Sequence, residues 1–226
     1  MYIDRPLLIN GKKFDMRMYV LVTSYHPLRV YLYNEGLARF ATELYSNDPN
    51  ILKNKFVHLT NFSINKRNTK NYVRNDNKRS SSQKRQASAS SVRSSGSKGG
   101  TTGQGAHPDT KDEVIEDENP EEESSSKWSL KFLKRYLQKR LGHIPTENDL
   151  EADIYGPCHD VIIKTLLSAE KPIVDQLNKI GNRQKCCFEI YGFDIIFDCD
   201  YQPWVLEVNC LPSLSSSSIF DKHVKT

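Results

Sequence analysis

The sequence predicts an α+β fold, an antiparallel sheet with packed helices, interrupted by a disordered insert. Three observations carry this. Residues 14–44 are rich in Val, Tyr and Leu and are punctuated by turn signals. Residues 129–141 and 153–177 carry apolar side chains at helical spacing. Residues 188–209 form two apolar runs around a polar stretch that ends in Pro203, which is the pattern of a β-hairpin. Strands grouped along the chain with helices between the groups suit an antiparallel sheet with helices packed on it.

Taken in order, Phe14–Ser24 and Leu28–Tyr33 read as strands joined by a turn at Tyr25-His26-Pro27. Asn34-Glu35-Gly36 reads as a second turn, leading into a third strand over Leu37–Leu44 and completing a meander. Ser129–Leu141 places Leu130, Phe132, Leu133, Tyr136 and Leu137 at helical spacing with basic residues between. Asp153–Leu177 is a longer helical stretch built on Val161, Ile162, Leu166 and Leu167, with Pro172 expected to kink or interrupt it. Phe188–Phe197 and Trp204–Val208 are the closing strands.

Between Tyr72 and Trp128 the sequence holds no Phe, Tyr, Trp, Leu or Met. Nine serines fall in residues 80–97, and Gly-Gly-Thr-Thr-Gly-Gln-Gly follows at 99–105. Such a segment buries too little apolar surface to offset its ordering entropy, so disorder is expected over 74–126. The folded sequence then divides into a first part, 1–73, and a second, 127–226. The insert carries a net charge of −2, which leaves +6 on the rest of a chain whose total is +4. A basic folded surface favours polyanions, here acidic polypeptides, because no basic groove with interleaved aromatic residues marks a nucleic-acid site.

No apolar run reaches the roughly 20 residues of a membrane-spanning helix, and the amino terminus lacks the order of a secretory signal. Neither a membrane nor nucleic acid is an expected partner. The five cysteines are odd in number and lack paired Cys-x-x-Cys spacing, so free thiols in a reducing compartment are expected rather than a disulfide framework or zinc site.

Chemistry concentrates on the hairpin. If its turn centres on Asp200-Tyr201, Asp194 lies directly opposite Glu207, and Asn209 shares their face. Opposed carboxylates repel and need compensation. A shared proton is one remedy. A divalent cation such as Mg²⁺, which accepts Asp, Glu and Asn oxygens while keeping waters and phosphates, is another. The plainer alternative puts both acids on the solvated face of an edge hairpin. Lys13, Asp15 and Arg17 fall on one face of the first strand, opposite Phe14, Met16 and Met18. That row is either a solvated salt-bridge ladder or a polar wall for a polyphosphate, with Asp15 orienting the two cations. Arg39 could join either arrangement. His58-Leu59-Thr60-Asn61-Phe62-Ser63-Ile64-Asn65-Lys66 closes an apolar strand end with a cluster of small hydrogen-bonding residues, usual in a turn or helix cap and suited also to a nucleotide sugar and an amino acid. No P-loop, dinucleotide fingerprint or nucleophile elbow is present.

In order along the chain stand Lys13-Phe14-Asp15-Met16-Arg17, Gly36-Leu37-Ala38-Arg39-Phe40, His58-Leu59-Thr60-Asn61, Tyr191-Gly192-Phe193-Asp194 and Trp204-Val205-Leu206-Glu207-Val208-Asn209. Together they resemble the tubulin tyrosine ligase-like family, an ATP-grasp group. Tyr2–Ile9 and Pro212-Ser213-Leu214 are similar to its polyglutamylase branch. The resemblance implies the C-terminal portion of an ATP-grasp domain. The activity it implies is an ATP-dependent ligase that joins glutamate to glutamate side chains in acidic tubulin tails through an acylphosphate.

Carried over residue by residue, the resemblance implies Mg²⁺ ligands at Asp194, Glu207 and Asn209. It implies ATP contacts at Tyr2, Ile3, Lys13, Asp15, Arg17, His58, Thr60, Asn61 and Leu206. Contacts to the incoming amino acid fall at Arg39, Phe62, Ser63 and Lys127, and catalytic roles at Arg17, Arg39 and Glu207. ATP, Mg²⁺, free L-glutamate and tubulin or microtubules are the implied cofactors and partners. A monomer in the cytoplasm on the cytoskeleton, with the cilium or basal body as a further location, is implied as well. Phe62 stands where the family commonly has Tyr, and the insert before Lys127 is longer than expected for the family. The family's upstream half is expected to be missing, so this piece alone is expected to be inactive. Ligation of glycine or tyrosine, a non-tubulin acceptor, and a non-catalytic microtubule-binding module are the alternatives.

Overall fold

The computed structural model describes residues 2–73, 125–140, 155–180, 187–215 and 219–225. Its architecture is α+β, as expected. A six-stranded antiparallel sheet is built from β1 (Leu8–Ile9), β2 (Lys12–Tyr25), β3 (Leu28–Phe40), β4 (Lys127–Ser129), β5 (Glu189–Phe197) and β6 (Pro203–Cys210). The order is β4-β3-β2-β5-β6, with β1 paired to β2. The helices are α1 (Lys55–His58), α2 (Phe62–Asn65), α3 (Leu130–Arg140), α4 (Gly156–Lys179) and α5 (Ile219–Lys225).

The central strand β2 sets the two faces. Its alternation sends Phe14, Met16, Met18 and Val20 into the core, with Ala38 and Phe40 of β3, Trp128 of β4 and Phe193, Ile195 and Phe197 of β5. Leu133 and Leu137 of α3, and Cys158, Ile162 and Leu166 of α4, cover that face. Each such side chain contributes about 1.5–3 kcal/mol when fully buried. Trp128 anchors the layer, its ring centroid lying 4.5 Å from Phe40, 4.9 Å from Phe132 and 5.1 Å from Tyr136. The opposite face carries Lys13, Asp15 and Arg17.

Besides β4, α2 and α5, which were not expected, and α1, which stands where an apolar strand end was expected before His58, three elements differ from the sequence reading. Asn34-Glu35-Gly36 is not a turn, and no third meander strand follows: β3 runs unbroken from Leu28 to Phe40. Met18 pairs with Gly36 and Val20 with Leu32, so Tyr33, Asn34 and Glu35 bulge opposite Tyr19 alone. Gly36 serves close approach rather than reversal, because a Cβ there would lie 2.3 Å from the Arg17 carbonyl oxygen. Pro172 does not interrupt α4, which continues through it to Lys179. Pro172 and Ser168 are both exposed, so the carbonyl deprived of its donor faces solvent. The third is β1, which was not expected. It joins β2 through Asn10-Gly11, both at positive φ (50° and 72°), the two-residue turn that hairpins favour.

The expected insert falls, over residues 74–124, outside the described residues. Ser125 and Ser126 are buried. Ser126 donates its N–H to the Val73 carbonyl at 3.0 Å and accepts the Phe40 N–H at 3.1 Å. Among the described residues, Cys158, Cys187, Cys199 and Cys210 form no disulfide. Among the described residues, no helix is long and apolar enough to cross a membrane.

Candidate functional site

The polar face of the sheet carries a stripe of charge across five strands. Lys127 on β4 pairs with Arg39 on β3, and Arg39 pairs with Asp15 on β2. One step along, Arg17 on β2 pairs with Asp194 on β5, and Asp194 with Glu207 on β6. Period-two alternation on each strand, held in register by the ladders, brings these residues together from positions far apart in the chain.

At its centre the stripe is a buried ion network. Arg39 donates from Nε to Asp15 Oδ1 at 3.0 Å, and its Nη2 bonds both Asp15 and, at 2.8 Å, Asp194 Oδ2. Arg17 donates from Nε to Asp194 Oδ1 and from Nη2 to Oδ2 at 2.8 Å. Asp15 and Asp194 are almost wholly buried, at 1% and 2% exposure. The opposed carboxylates therefore have a remedy other than a shared proton. Burial would raise the Asp194 carboxyl, but the Arg17 hydrogen bond and the charges of Arg39 and Arg17 hold it below its ordinary value. Asp194 thus sits between two guanidiniums that favour its charged form. Complete burial pushes Asp15 upward against Arg39 and a hydrogen bond from Thr60. Lys13 is lowered by burial, with Asp15 opposing.

Glu207 is exposed, and Asn209 donates from Nδ2 to its Oε1 at 3.1 Å. The derived pairing of 194 with 207 and 192 with 209 is present. It arises differently from the derivation, though. Near the turn, Ile195 pairs with Val205 and Phe197 with Pro203, one residue out of the expected register, and Leu206 is the extra residue that restores it. Leu206 itself is 50% exposed. Among the described residues there is no cluster of three or more His, Cys, Asp or Glu side chains suited to a metal. The set Asp194, Glu207 and Asn209 nevertheless fits a Mg²⁺ that takes one or two carboxylates plus phosphate and water oxygens. Glu207 is its most open member, and Asp194 is shared with the arginines.

A second group lies past the Lys13 end of the stripe. Lys13 Nζ sits 4.8 Å from the Tyr2 ring centroid. Tyr2 and His58 share a hydrogen bond through Oη and Nδ1 at 3.0 Å, and His58 Nε2 is buried without a partner. Ile3 is half-buried beside them in sequence. Thr60 is buried, and its hydroxyl reaches Asp15. Asn61 caps α2 through its backbone alone, which leaves its side chain uncommitted to the cap.

Asn65, which the sequence places in the polar cluster without a role of its own, holds this loop. Its Oδ1 accepts from the Thr42 N–H at 3.1 Å and the Thr42 hydroxyl at 2.9 Å, and its Nδ2 donates to the Leu59 carbonyl at 2.7 Å. Its only sequence signal is its place in the polar cluster after His58.

Phe62 lies beneath Lys127, whose Nζ is 4.2 Å from the ring centroid, while Ser63 is exposed on α2. Lys127 Nζ also meets the two Asp221 carboxylate oxygens at 3.2 and 3.5 Å. Asp221, on α5, carried no sequence signal. Beyond Arg17 the same face turns apolar, in a groove of about 300 Å³ lined by Tyr19, Leu21, Tyr31, Tyr33, Ile190 and Leu214.

The chain is 36% identical over 225 residues to tubulin monoglutamylase TTLL4 of Mus musculus and 37% identical over 224 residues to tubulin polyglutamylase TTLL5 of Homo sapiens. Each match covers 99% of this chain but only 15% and 14% of the respective relative. Probable alpha-tubulin polyglutamylase Ttll1 of Tetrahymena thermophila is 32% identical over 225 residues, covering 100% of this chain and 40% of the relative. The chain thus spans well under half the length of these relatives. The Tubulin-tyrosine ligase family matches residues 1–103 and 107–226, which take in every strand of the charged stripe. With that match and these relatives, the sheet is part of an ATP-grasp-like α+β fold, and the chain belongs to the Tubulin-tyrosine ligase family.

Proposed function

We propose that this chain supplies part of the active site of an ATP-dependent ligase that adds glutamate to glutamate side chains of tubulin tails. The observation that carries the reading is the register of Asp194 with Glu207, with Asn209 beside them and Arg17 and Arg39 alongside. Likeness to tubulin mono- and polyglutamylases over nearly the whole chain supports the choice of substrate.

In this reading the γ-phosphoryl group of ATP passes to the acceptor carboxylate, releasing ADP and leaving an acylphosphate. The amine of the incoming glutamate then attacks the acyl carbon, and inorganic phosphate leaves as the isopeptide bond forms. Asp194, Glu207 and Asn209 would hold Mg²⁺, which would supply charge neutralisation on the phosphates. Tyr2, Ile3 and Leu206 offer apolar surface to the nucleotide base, and His58, Thr60 and Asn61 offer polar atoms. Lys13 and Arg17 face the phosphates as cations, and Asp15 fixes Arg39 in place. Arg39, its Nε and Nη2 committed to Asp15 and Asp194, presents its Nη1 donors to a substrate carboxylate, and Lys127, Phe62 and Ser63 border the same end. Positioning and electrostatics of this kind dominate phosphoryl transfer. The basic balance of the folded sequence suits an acidic tail.

The test incubates the full-length protein with tubulin, ATP, Mg²⁺ and equal concentrations of glutamate, glycine and tyrosine, then reads the masses of the tails. Glutamate increments are expected, and they are expected to vanish with Glu207→Gln. Increments of glycine or tyrosine alone would overturn the glutamate assignment. Glutamate increments that survive Glu207→Gln would overturn the site.

A further inference from the structure

After β6 the chain returns across the polar face. Pro212 packs on Gly192 of β5, where an added Cβ would lie 2.8 Å from the Pro212 Cβ. Leu214 lines the apolar groove above β2 and β3, and α5 brings Asp221 to Lys127 on β4, at the far edge of the sheet. Asp221 is 3% exposed and accepts from Lys127 Nζ at 3.2 Å. The same ammonium lies 4.2 Å from the centroid of Phe62.

We propose that Asp221 is a positioning residue for the incoming amino acid, acting by fixing the ammonium of Lys127. The inference rests on the ligase reading above and deepens it. Lys127 and Arg39 are directly opposed on β4 and β3, and like charges so placed repel. Each has its own buried counter-charge: Asp15 for Arg39, and Asp221 for Lys127. A lysine ammonium on a four-carbon stem has no preferred direction of its own. The carboxylate on one side and the Phe62 ring on another hold it, while the ammonium has three donors. A donor remains for a substrate carboxylate next to the Arg39 guanidinium. The segment after β6 thereby belongs to the amino-acid site.

The experiment measures steady-state kinetics of the full-length protein on tubulin, varying glutamate and ATP separately, for Asp221→Asn, Lys127→Met and the double variant. Asp221→Asn is expected to raise the KM for glutamate on the order of tenfold, the low end for loss of one hydrogen bond to a charged group. The KM for ATP stays put, and kcat at saturating glutamate changes far less. Lys127→Met alone is expected to raise the glutamate KM in the same way, and adding Asp221→Asn to it should raise that KM no further, because both act through one contact. A glutamate KM unchanged in either single variant would overturn the proposal. So would a rise of both KM values in step with a fall in thermal midpoint, which is the signature of a staple that merely ties α5 to the sheet. Should Asp221→Asn fail to fold, Lys127→Met decides alone by the same two readings. No glutamate transfer by the unsubstituted protein would overturn the ligase reading itself, and the proposal with it.

Discussion

Arg17 and Asp194 face each other in register across β2 and β5 and are joined by two hydrogen bonds, from Nε and from Nη2. Asp194 is at the same time 2.8 Å from Arg39. Two guanidiniums thus converge on one buried carboxylate, and the same carboxylate stands opposite Glu207. The joint between the Lys127-Arg39-Asp15 row and the Arg17-Asp194-Glu207 row of the stripe is therefore Asp194.

This geometry predicts a particular dependence on acid. The Asp194 carboxyl lies below its ordinary value because Arg17 and Arg39 outweigh burial. Its contribution to stability is then fully present above the ordinary carboxylate range and is lost as pH falls through the lowered value. Asp194→Asn, which leaves the two guanidiniums without that charge, should destabilise the protein by about 3–5 kcal/mol at neutral pH. Denaturant unfolding followed by circular dichroism at a series of pH values checks this. The gap between variant and parent should narrow as the solution is acidified below the ordinary carboxylate range. A gap independent of pH would contradict the pairing.

The two tight glycines of the sheet should differ in severity. At Gly36 an added Cβ meets the Arg17 carbonyl oxygen at 2.3 Å, a backbone atom that cannot move without disturbing the ladder. At Gly192 the nearest atoms are the Pro212 Cβ at 2.8 Å and the Arg17 Cδ at 3.1 Å, both on side chains. Overpacking typically costs about 1–3 kcal/mol, and Gly36→Ala is expected at or beyond the top of that range, with Gly192→Ala near its lower half. Thermal unfolding of the two variants gives the comparison. Gly192→Ala should also move the Arg17 side chain, so of the two it should weaken nucleotide use more than its stability loss accounts for.

Much of the site was legible because charge on a strand alternates visibly with apolar residues. Lys13, Asp15 and Arg17 could be assigned to one face from the sequence, and the Asp194–Glu207 pairing followed from the hairpin. Yet the correct pairing came through two offsetting features. The strands next to the turn pair one residue out of the expected register, about Asp200 rather than about Asp200-Tyr201, and the Leu206 bulge shifts the register back. A bulge at a leucine has no turn residue to announce it. Asn34-Glu35-Gly36 misled in the opposite direction, since a glycine required for close contact with Arg17 carries the same letters as a turn glycine. Asn10-Gly11 did carry a hairpin signal, but a two-residue strand is too short for alternation to support it. Asn65 and Asp221 were beyond reach, because their importance lies in partners 23 and 94 residues away, Thr42 and Lys127.

Cation binding in the presence of nucleotide tests the central claim most directly. Mn²⁺, used in place of Mg²⁺, is followed by electron paramagnetic resonance with the full-length protein and a non-hydrolysable ATP analogue, for the parent and for Glu207→Gln. Glu207 is exposed and forms its only described hydrogen bond with Asn209, so its substitution should leave the circular dichroism spectrum unchanged. The account predicts nucleotide-dependent Mn²⁺ binding in the parent and at least tenfold weaker binding in Glu207→Gln, the lower end of the range for altering a metal site's supporting shell and so a lower bound for a ligand itself. Equal Mn²⁺ affinity in the two proteins would contradict it.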